Sequence, residues 1–145
     1  KSNSQIGIDF RYDGFLGLWF EGAGFFSKSQ NISKDRYAQM TLGADYTFPV
    51  GEGLLIMSEI MRIEGWSSKT DVLRSSRTIS AFMLSHPIGM FHNTMFTTNL
   101  DWDKNNTYNY LRWSSSYDHF SINCMASINP GDIDNSLQLM LIYNH

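Results

Sequence analysis

The sequence predicts an all-β fold: an antiparallel up-and-down β-barrel of about nine strands, forming a single domain over residues 1–145. Polar and apolar residues alternate with period two in most segments, as in strands that have one apolar and one polar face. Tight turns alternate with longer polar connections, and no segment has a convincing helical period. The composition agrees, since 14% of the residues are aromatic and only 3 are proline.

The first two strands are predicted to form a hairpin around Asp13-Gly14, a dipeptide typical of tight turns. The first strand sets one apolar series against one polar series, namely Ile6, Ile8, Phe10 and Tyr12 against Gly7, Asp9, Arg11 and Asp13. The second strand repeats the pattern with Leu16, Leu18 and Phe20 against Gly17, Trp19 and Glu21.

The next pair of strands joins the most regular alternation of the chain to its least regular one. A polar loop of roughly residues 27–36 precedes the regular strand, which ends at Phe48. The turn Val50-Gly51-Glu52-Gly53 leads into LLIMSEIMRI, which is apolar on both faces, so its orientation stays open. A second polar loop covers roughly residues 66–77, and the strand from Thr78 to Ser85 is equally ambiguous.

The second half of the chain continues the alternation of turns and strands. A tight turn is expected at residues 86–89, a polar loop at 103–107, a tight turn at 117–119 and a longer connection at 129–132. The strands between them alternate clearly, as in Phe120, Ile122, Cys124, Ala126 and Ile128 against Ser121, Asn123, Met125, Ser127 and Asn129.

Three observations favour a transmembrane barrel, whose apolar faces point outward. All five Lys residues fall at the amino terminus or in the predicted loops, whereas water-facing strands usually carry Lys and Glu. Segments of about ten residues, tilted by about 40°, would cross an apolar band of about 25 Å. Aromatic residues also cluster near strand ends, where interfacial girdles lie: Phe15, Tyr46, Phe48, Trp66, Trp102, Tyr108, Tyr117 and Tyr143.

A soluble β-barrel or sandwich that binds a small apolar ligand in its interior is the alternative. The two hypotheses differ in which side of the sheet the apolar residues occupy. In the membrane barrel Ile6, Leu42, Ile122 and Leu139 lie outside, and in the soluble barrel they lie inside.

The order of turns also predicts missing strands. If the tight turns are periplasmic, the first strand starts outside and the last strand ends at the periplasmic side. Bacterial single-chain barrels have an even number of strands with both ends periplasmic. About nine strands therefore predict that at least one upstream strand is missing and that the chain is part of a larger barrel.

The chain resembles the C-terminal half of porin-like outer-membrane proteins of the Bacteroidetes type. The resemblance rests on the run Gly43-Ala44-Asp45-Tyr46-Thr47-Phe48 through Gly51 and Gly53 to Glu59, and on the closing strand LQLMLIYNH. It implies a location in the bacterial outer membrane and a channel for passive passage of small solutes, or a membrane scaffold of an assembly. The closing strand departs from the common pattern, because Tyr143 is followed by Asn144-His145 where such barrels usually end in Phe or Trp.

The predicted lumen carries charges of both signs, which either set solute selectivity or pair with one another in a narrow interior. The predicted pore-lining residues are Asp9, Arg11, Glu21, Asp45, Glu59, Asp101 and Arg112. No enzymatic activity is expected, because none of the four His residues combines with a Ser and an orienting group in a recognisable motif. A barrel enzyme would need one Ser and one His within hydrogen-bonding distance at the same rim.

Neither a cofactor nor a metal site is expected, since the spacings of His, Cys and carboxylates fit none. The expected partners are the lipid bilayer and either other barrel chains or the missing N-terminal part. The net charge of −3 gives no electrostatic argument for nucleic acid.

Overall fold

Nine strands form one antiparallel sheet in the computed structural model, which describes residues 2–28, 36–66, 74–131 and 133–143. The strands are β1 Ser2–Asp13, β2 Gly17–Lys28, β3 Arg36–Phe48, β4 Leu54–Trp66, β5 Arg74–Ile88, β6 His92–Asp101, β7 Asn106–Ser116, β8 Phe120–Ile128 and β9 Ser136–Tyr143. Each strand pairs with its neighbours in sequence, so the predicted up-and-down order is confirmed. The predicted closure is absent, because β1 and β9 are the two edges of an open sheet.

Strand β5 is longer at both ends than the sequence predicts. Arg77, which was assigned to a loop, and His86, which was assigned to a turn, both lie within it. The reason is pairing, because β5 follows β4 from Arg74 opposite Trp66 and then continues along β6 to Ile88 opposite His92. The turn that follows moves to residues 89–91, where Gly89 adopts a φ of 63°. Lys28 is likewise the last residue of β2 rather than part of a loop.

The connection between β6 and β7 is a tight turn instead of the longer loop expected at residues 103–107. Asp101 Oδ1 accepts hydrogen bonds from the backbone N–H groups of Asp103 and Lys104, both at 3.2 Å. Asn105 completes the turn with a φ of 52°, in the left-handed region that Asn tolerates. The long connections at 29–35 and 67–73 lie outside the described residues, and so does Asp132 in the connection at 129–135.

The pairing register assigns every strand position to one of two faces of the sheet. The apolar face contains Ile6, Ile8, Phe10, Leu42, Ile122 and Leu139, and the polar face contains Asp9, Glu21, Thr41, Glu59 and Asp101. The register also settles the ambiguous strands. Ile56 and Ile60 of β4 lie on the apolar face, and Leu55 and Met57 lie on the polar face.

The register is strongly sheared from one edge to the other. A single row of directly opposed residues runs from Asp13, the last residue of β1, to Ser136, the first residue of β9. Over eight strand spacings the sheet therefore shifts by 143 − 136 = 7 residues at the tight-turn end and by 13 − 2 = 11 at the other. With about 3.3 Å per residue and about 4.8 Å between strands, the strands tilt by about 30–45°.

The described residues form no buried hydrophobic core. Large apolar side chains of the apolar face are exposed, with Ile6 at 69% and Leu137 at 77% on the two edge strands. On β3 the polar-face residue Thr41 is buried, whereas its neighbours Met40 and Leu42 are exposed. Such crowding is expected if the sheet curves toward its polar face. None of the described residues belongs to a helix long and apolar enough to cross a membrane.

Candidate functional site on the polar face

All seven residues predicted to line a pore lie on the polar face of the sheet. They are distributed over six of the nine strands: Asp9 and Arg11 on β1, Glu21 on β2, Asp45 on β3, Glu59 on β4, Asp101 on β6 and Arg112 on β7. The alternation of side chains along each strand explains this common orientation, because every second residue faces the same way. The structure divides the seven into paired and unpaired groups.

Arg11 is the centre of the first paired group, at the tight-turn end of β1. Its Nε lies 2.8 Å from Asp13 Oδ1, and its Nη2 lies 3.9 Å from Asp45 Oδ2. The guanidinium also lies over the Trp19 ring, 5.9 Å from the centroid. Gly17 faces Asp45 in the register, and any Cβ on Gly17 would approach the Asp45 carboxylate to 2.6 Å. A glycine at this position therefore makes room for the carboxylate beneath Arg11.

Trp19 connects this group to Glu59 across an intervening strand. Trp19, Gly43 and Glu59 are consecutive positions of one register row on β2, β3 and β4. The indole Nε1 donates a hydrogen bond of 3.3 Å to Glu59 Oε2. A Cβ at Gly43 would overlap the indole ring, so the absence of a side chain there lets Trp19 lie across β3.

A second paired group holds the β6–β7 turn against β5. Asp101 is 2% exposed and accepts hydrogen bonds from Arg77 Nη2 at 2.8 Å and from Arg77 Nε at 3.2 Å. The neighbouring Asp103 accepts a bond of 2.6 Å from the backbone N–H of Thr78. Both carboxylate oxygens of Asp101 therefore accept hydrogen bonds that fix the β6–β7 turn and hold it against β5. This arrangement favours a structural role for Asp101.

Asp9 and Glu21 form the unpaired acidic group. They lie directly opposite each other on β1 and β2, and neither has an ion-pair partner among the described residues. Both border an open recess of about 330 Å³ that Gly7, Ala23, Phe25 and Gln39 also line. Next to it the rings of Phe25 and Tyr37 stack with their centroids 4.3 Å apart.

Arg112 is the remaining predicted residue, and it stands apart from the acidic group on β7. Its register partners are Met95 on β6 and Met125 on β8, and no described carboxylate lies within ion-pair distance. The sequence therefore placed paired and unpaired charged residues in one predicted set, without distinguishing the two. Free charges lie mainly on β1, β2 and β4, and paired charges at the two ends of the sheet.

Three polar-face residues that bond to members of the predicted set were themselves outside it: Asp13, Trp19 and Arg77. Trp19 was assigned to the polar face but was given no role, and Arg77 was placed in a loop. The register row that joins Trp19, Gly43 and Glu59 was the signal for Trp19, but it is readable only once the strand pairing is known. Arg77 was missed because β5 begins at Arg74, earlier in the chain than the alternation indicated.

Among the described residues, no histidine forms a hydrogen bond with a serine. His92 lies on the apolar face, stacked on Trp113 at a centroid distance of 5.6 Å. Its register partner is Ser115, but the Ser115 Oγ and the His92 Nδ1 are both buried without a hydrogen-bond partner among the described residues. Nor do the described parts of the chain contain a group of three or more His, Cys, Asp or Glu that could hold a metal ion.

Comparison of the chain with family models, with curated proteins and with solved structures found no match.

Proposed function

We propose that this chain forms part of a porin-like β-barrel of the bacterial outer membrane, with its apolar face toward lipid and its polar face toward an aqueous lumen. The observation that carries the proposal is the exposed apolar face. On the interior strand β3 the apolar-face residue Leu42 is 56% exposed whereas the polar-face residue Thr41 is 7% exposed, the difference expected for a sheet that curves around its polar face and not around its apolar one. Leaving such a surface in water is unfavourable by about 25 cal/mol per Å².

The distribution of charge on the apolar face supports lipid contact. Among the residues whose side chains the structure describes, charged positions on this face occur only toward the end of the sheet that carries the long connections: Arg36, Arg62 and Glu64. Arg62 and Glu64 pair with each other at 2.9 Å. Everywhere else the described strand positions of the apolar face carry no carboxylate, Lys or Arg, as a lipid-facing surface requires.

Aromatic residues lie at both ends of the apolar face. At the tight-turn end Phe15, Tyr46 and Phe48 contact one another, and Phe91, Tyr117 and Phe120 do the same farther along. At the opposite end Phe26, Trp66 and Trp102 are exposed. Tyr108, expected in this set, instead occupies a polar-face position opposite Asn99. Two aromatic groups separated by an apolar band are characteristic of membrane interfaces.

The separation of these aromatic groups fits a bilayer. Tyr46 is opposite Ile56, and Trp66 lies ten residues farther along β4. Ten steps of about 3.3 Å at a tilt of about 40° rise by about 25 Å, the height of the apolar band of a transmembrane barrel. With the tilt derived from the register, this stretch of β4 therefore has the length needed to cross the apolar band.

Closure of this sheet into a barrel requires partner strands. The edges β1 and β9 run in the same direction, because nine strands alternate between them. An antiparallel partner that bridges both edges therefore supplies an odd number of strands. Further strands of the same polypeptide or other barrel chains would meet this condition. The polar lumen so enclosed would admit small solutes passively or form the membrane scaffold of a larger assembly.

Cys124 gives a direct test of the orientation of the sheet. It is the single cysteine of the chain, and it occupies the middle of β8 on the apolar face. The chain is labelled with a fluorophore at Cys124 and reconstituted into lipid vesicles. Phospholipids with brominated acyl chains should then quench the fluorophore strongly. The matched control carries Cys124→Ala and Asn123→Cys, which moves the same label to the polar face one residue away.

Strong quenching at position 124 with weak quenching at position 123 is the expected result. Equal quenching at both positions would rule out the proposed orientation, and so would a labelled chain that folds in buffer and does not bind vesicles. Single-channel conductance of the completed barrel then tests passage of solutes.

A further inference from the structure

We infer that the polar face selects for cations, and that the selecting charges are Asp9, Glu21 and Glu59 on the β1–β4 side of the sheet. As a statement about solutes this inference rests on the proposed channel. As a statement about the electric field at the polar face it stands on the arrangement of charges alone.

The sum of charges on the polar face is negative. Its described strand positions carry six carboxylates, namely Asp9, Asp13, Glu21, Asp45, Glu59 and Asp101, and three guanidinium groups, namely Arg11, Arg77 and Arg112. The difference is three negative charges. A channel wall of one sign raises the local concentration of the opposite ion.

Pairing concentrates this excess in one region. Arg11 is held by Asp13 and Asp45, and Arg77 is held by Asp101, so two of the three cations are compensated. Glu59 accepts a hydrogen bond from Trp19, a neutral donor that leaves its charge in place. The carboxylates without a cation partner lie on β1, β2 and β4, the Arg11 group with its two carboxylates adds one negative charge on β1 and β3, and the unpaired Arg112 lies on β7. The field is therefore negative near β1–β4.

The opposition of Asp9 and Glu21 costs stability. Like charges directly opposite each other on neighbouring strands are destabilising, because their Cβ atoms lie only about 5 Å apart. No described cation relieves this pair, and the adjoining recess of about 330 Å³ leaves space beside it for a mobile ion. A local arrangement that opposes folding is expected where function requires it.

The other side of the same face provides an internal reference. The polar-face positions of β8 and β9 carry no charge at all: Ser121, Asn123, Met125, Ser127, Ser136, Gln138, Met140 and Ile142. Gln138 lies in the same register row as the unpaired Arg112, two strands away, so a cation should approach Gln138 no more readily than an anion. A cation should approach Ala23, which lines the recess between Glu21 and Phe25 along β2, more readily than an anion.

The experiment compares spin labels at these two positions in the folded, lipid- or detergent-bound chain, both with Cys124→Ala. One variant carries Ala23→Cys and the other Gln138→Cys. Relaxation of each label is measured with a cationic and an anionic paramagnetic reagent of similar size at low salt. We expect the cation-to-anion ratio of collision rates at position 23 to exceed that at 138 by about fivefold or more. The excess should fall sharply in about 0.5 M salt.

The double variant Asp9→Asn with Glu21→Gln should remove most of this excess without loss of folding, since it removes a repulsion. Equal ratios at the two positions, or an excess that survives the double variant, would overturn the inference. Neither readout needs a closed pore. If position 123 is quenched by brominated lipid as strongly as position 124 while the excess at position 23 persists, the channel proposal fails and the negative field stands.

Discussion

The two faces of this sheet are stabilised in different ways, although they share the same nine backbone ladders. On the polar face, side chains bond across strands, as in the row from Trp19 over Gly43 to Glu59. On the apolar face, aliphatic and aromatic side chains stay exposed, most of all on β1 and β9. Hydrogen bonds and ion pairs between strands thus stabilise the polar face, whereas the exposed aliphatic side chains of the apolar face depend on the surrounding solvent. Substitutions at neighbouring residues on opposite faces test this difference in stabilisation.

The largest effect is expected from a charge placed on the apolar face. Leu139→Lys in lipid vesicles should lower the free energy of unfolding by about 2–4 kcal/mol, since a Lys near the middle of the bilayer must leave water. Gln138→Lys is the matched control, as Gln138 is also exposed on the same strand but lies on the polar face. It should change stability by about 0.5 kcal/mol or less. Denaturant titration measures both, and equal effects would contradict the difference between the faces.

An intermediate effect is expected within the polar face. Gly43→Ala would force the Trp19 indole off β3 and should cost about 1–3 kcal/mol by overpacking. Gly7→Ala is the control, because its Cβ would come no closer than 3.5 Å to the carbonyl oxygen of Gly22. We expect Trp19→Leu to recover part of the loss when combined with Gly43→Ala. A cost of the same size for Gly7→Ala would show that glycine itself, rather than the indole, is responsible.

The smallest effect is expected at the charged edge of the apolar face. Arg62 is half exposed and pairs with Glu64 close to the long-connection end. Arg62→Gln should therefore change the free energy of unfolding by about 0–1 kcal/mol, as exposed ion pairs do. A loss as large as that of Leu139→Lys would mean that this end of β4 is not in contact with water or headgroups.

The sequence predicted the strand order and most orientations because period two is a local property. The regular strand ending at Phe48 is found as Arg36–Phe48, and the alternation of β8 assigns its residues to the faces correctly. The segment LLIMSEIMRI resisted because it is apolar on both sides, so only its register with β3 decides that Glu59 joins the polar face.

Interactions between strands could not be predicted in the same way. Whether Asp101 is free or paired depends on Arg77, 24 residues away, and on the length of β5. Asp9 and Glu21 were recognised as candidates, but their direct opposition follows from the pairing of β1 with β2. The residues of the polar face were thus predicted correctly, and the strand register was needed to identify which of their charges neutralise each other.

The parallel direction of the two edge strands also constrains the symmetry of any assembly. Copies related by rotation about the membrane normal keep the same orientation, so each junction would bring β9 of one copy beside a parallel β1 of the next. A two-fold axis in the membrane plane would give antiparallel junctions but would turn one copy upside down. In the proposed membrane barrel, identical copies of these nine strands therefore cannot complete the sheet with antiparallel pairing, and the complement would have to come from other strands.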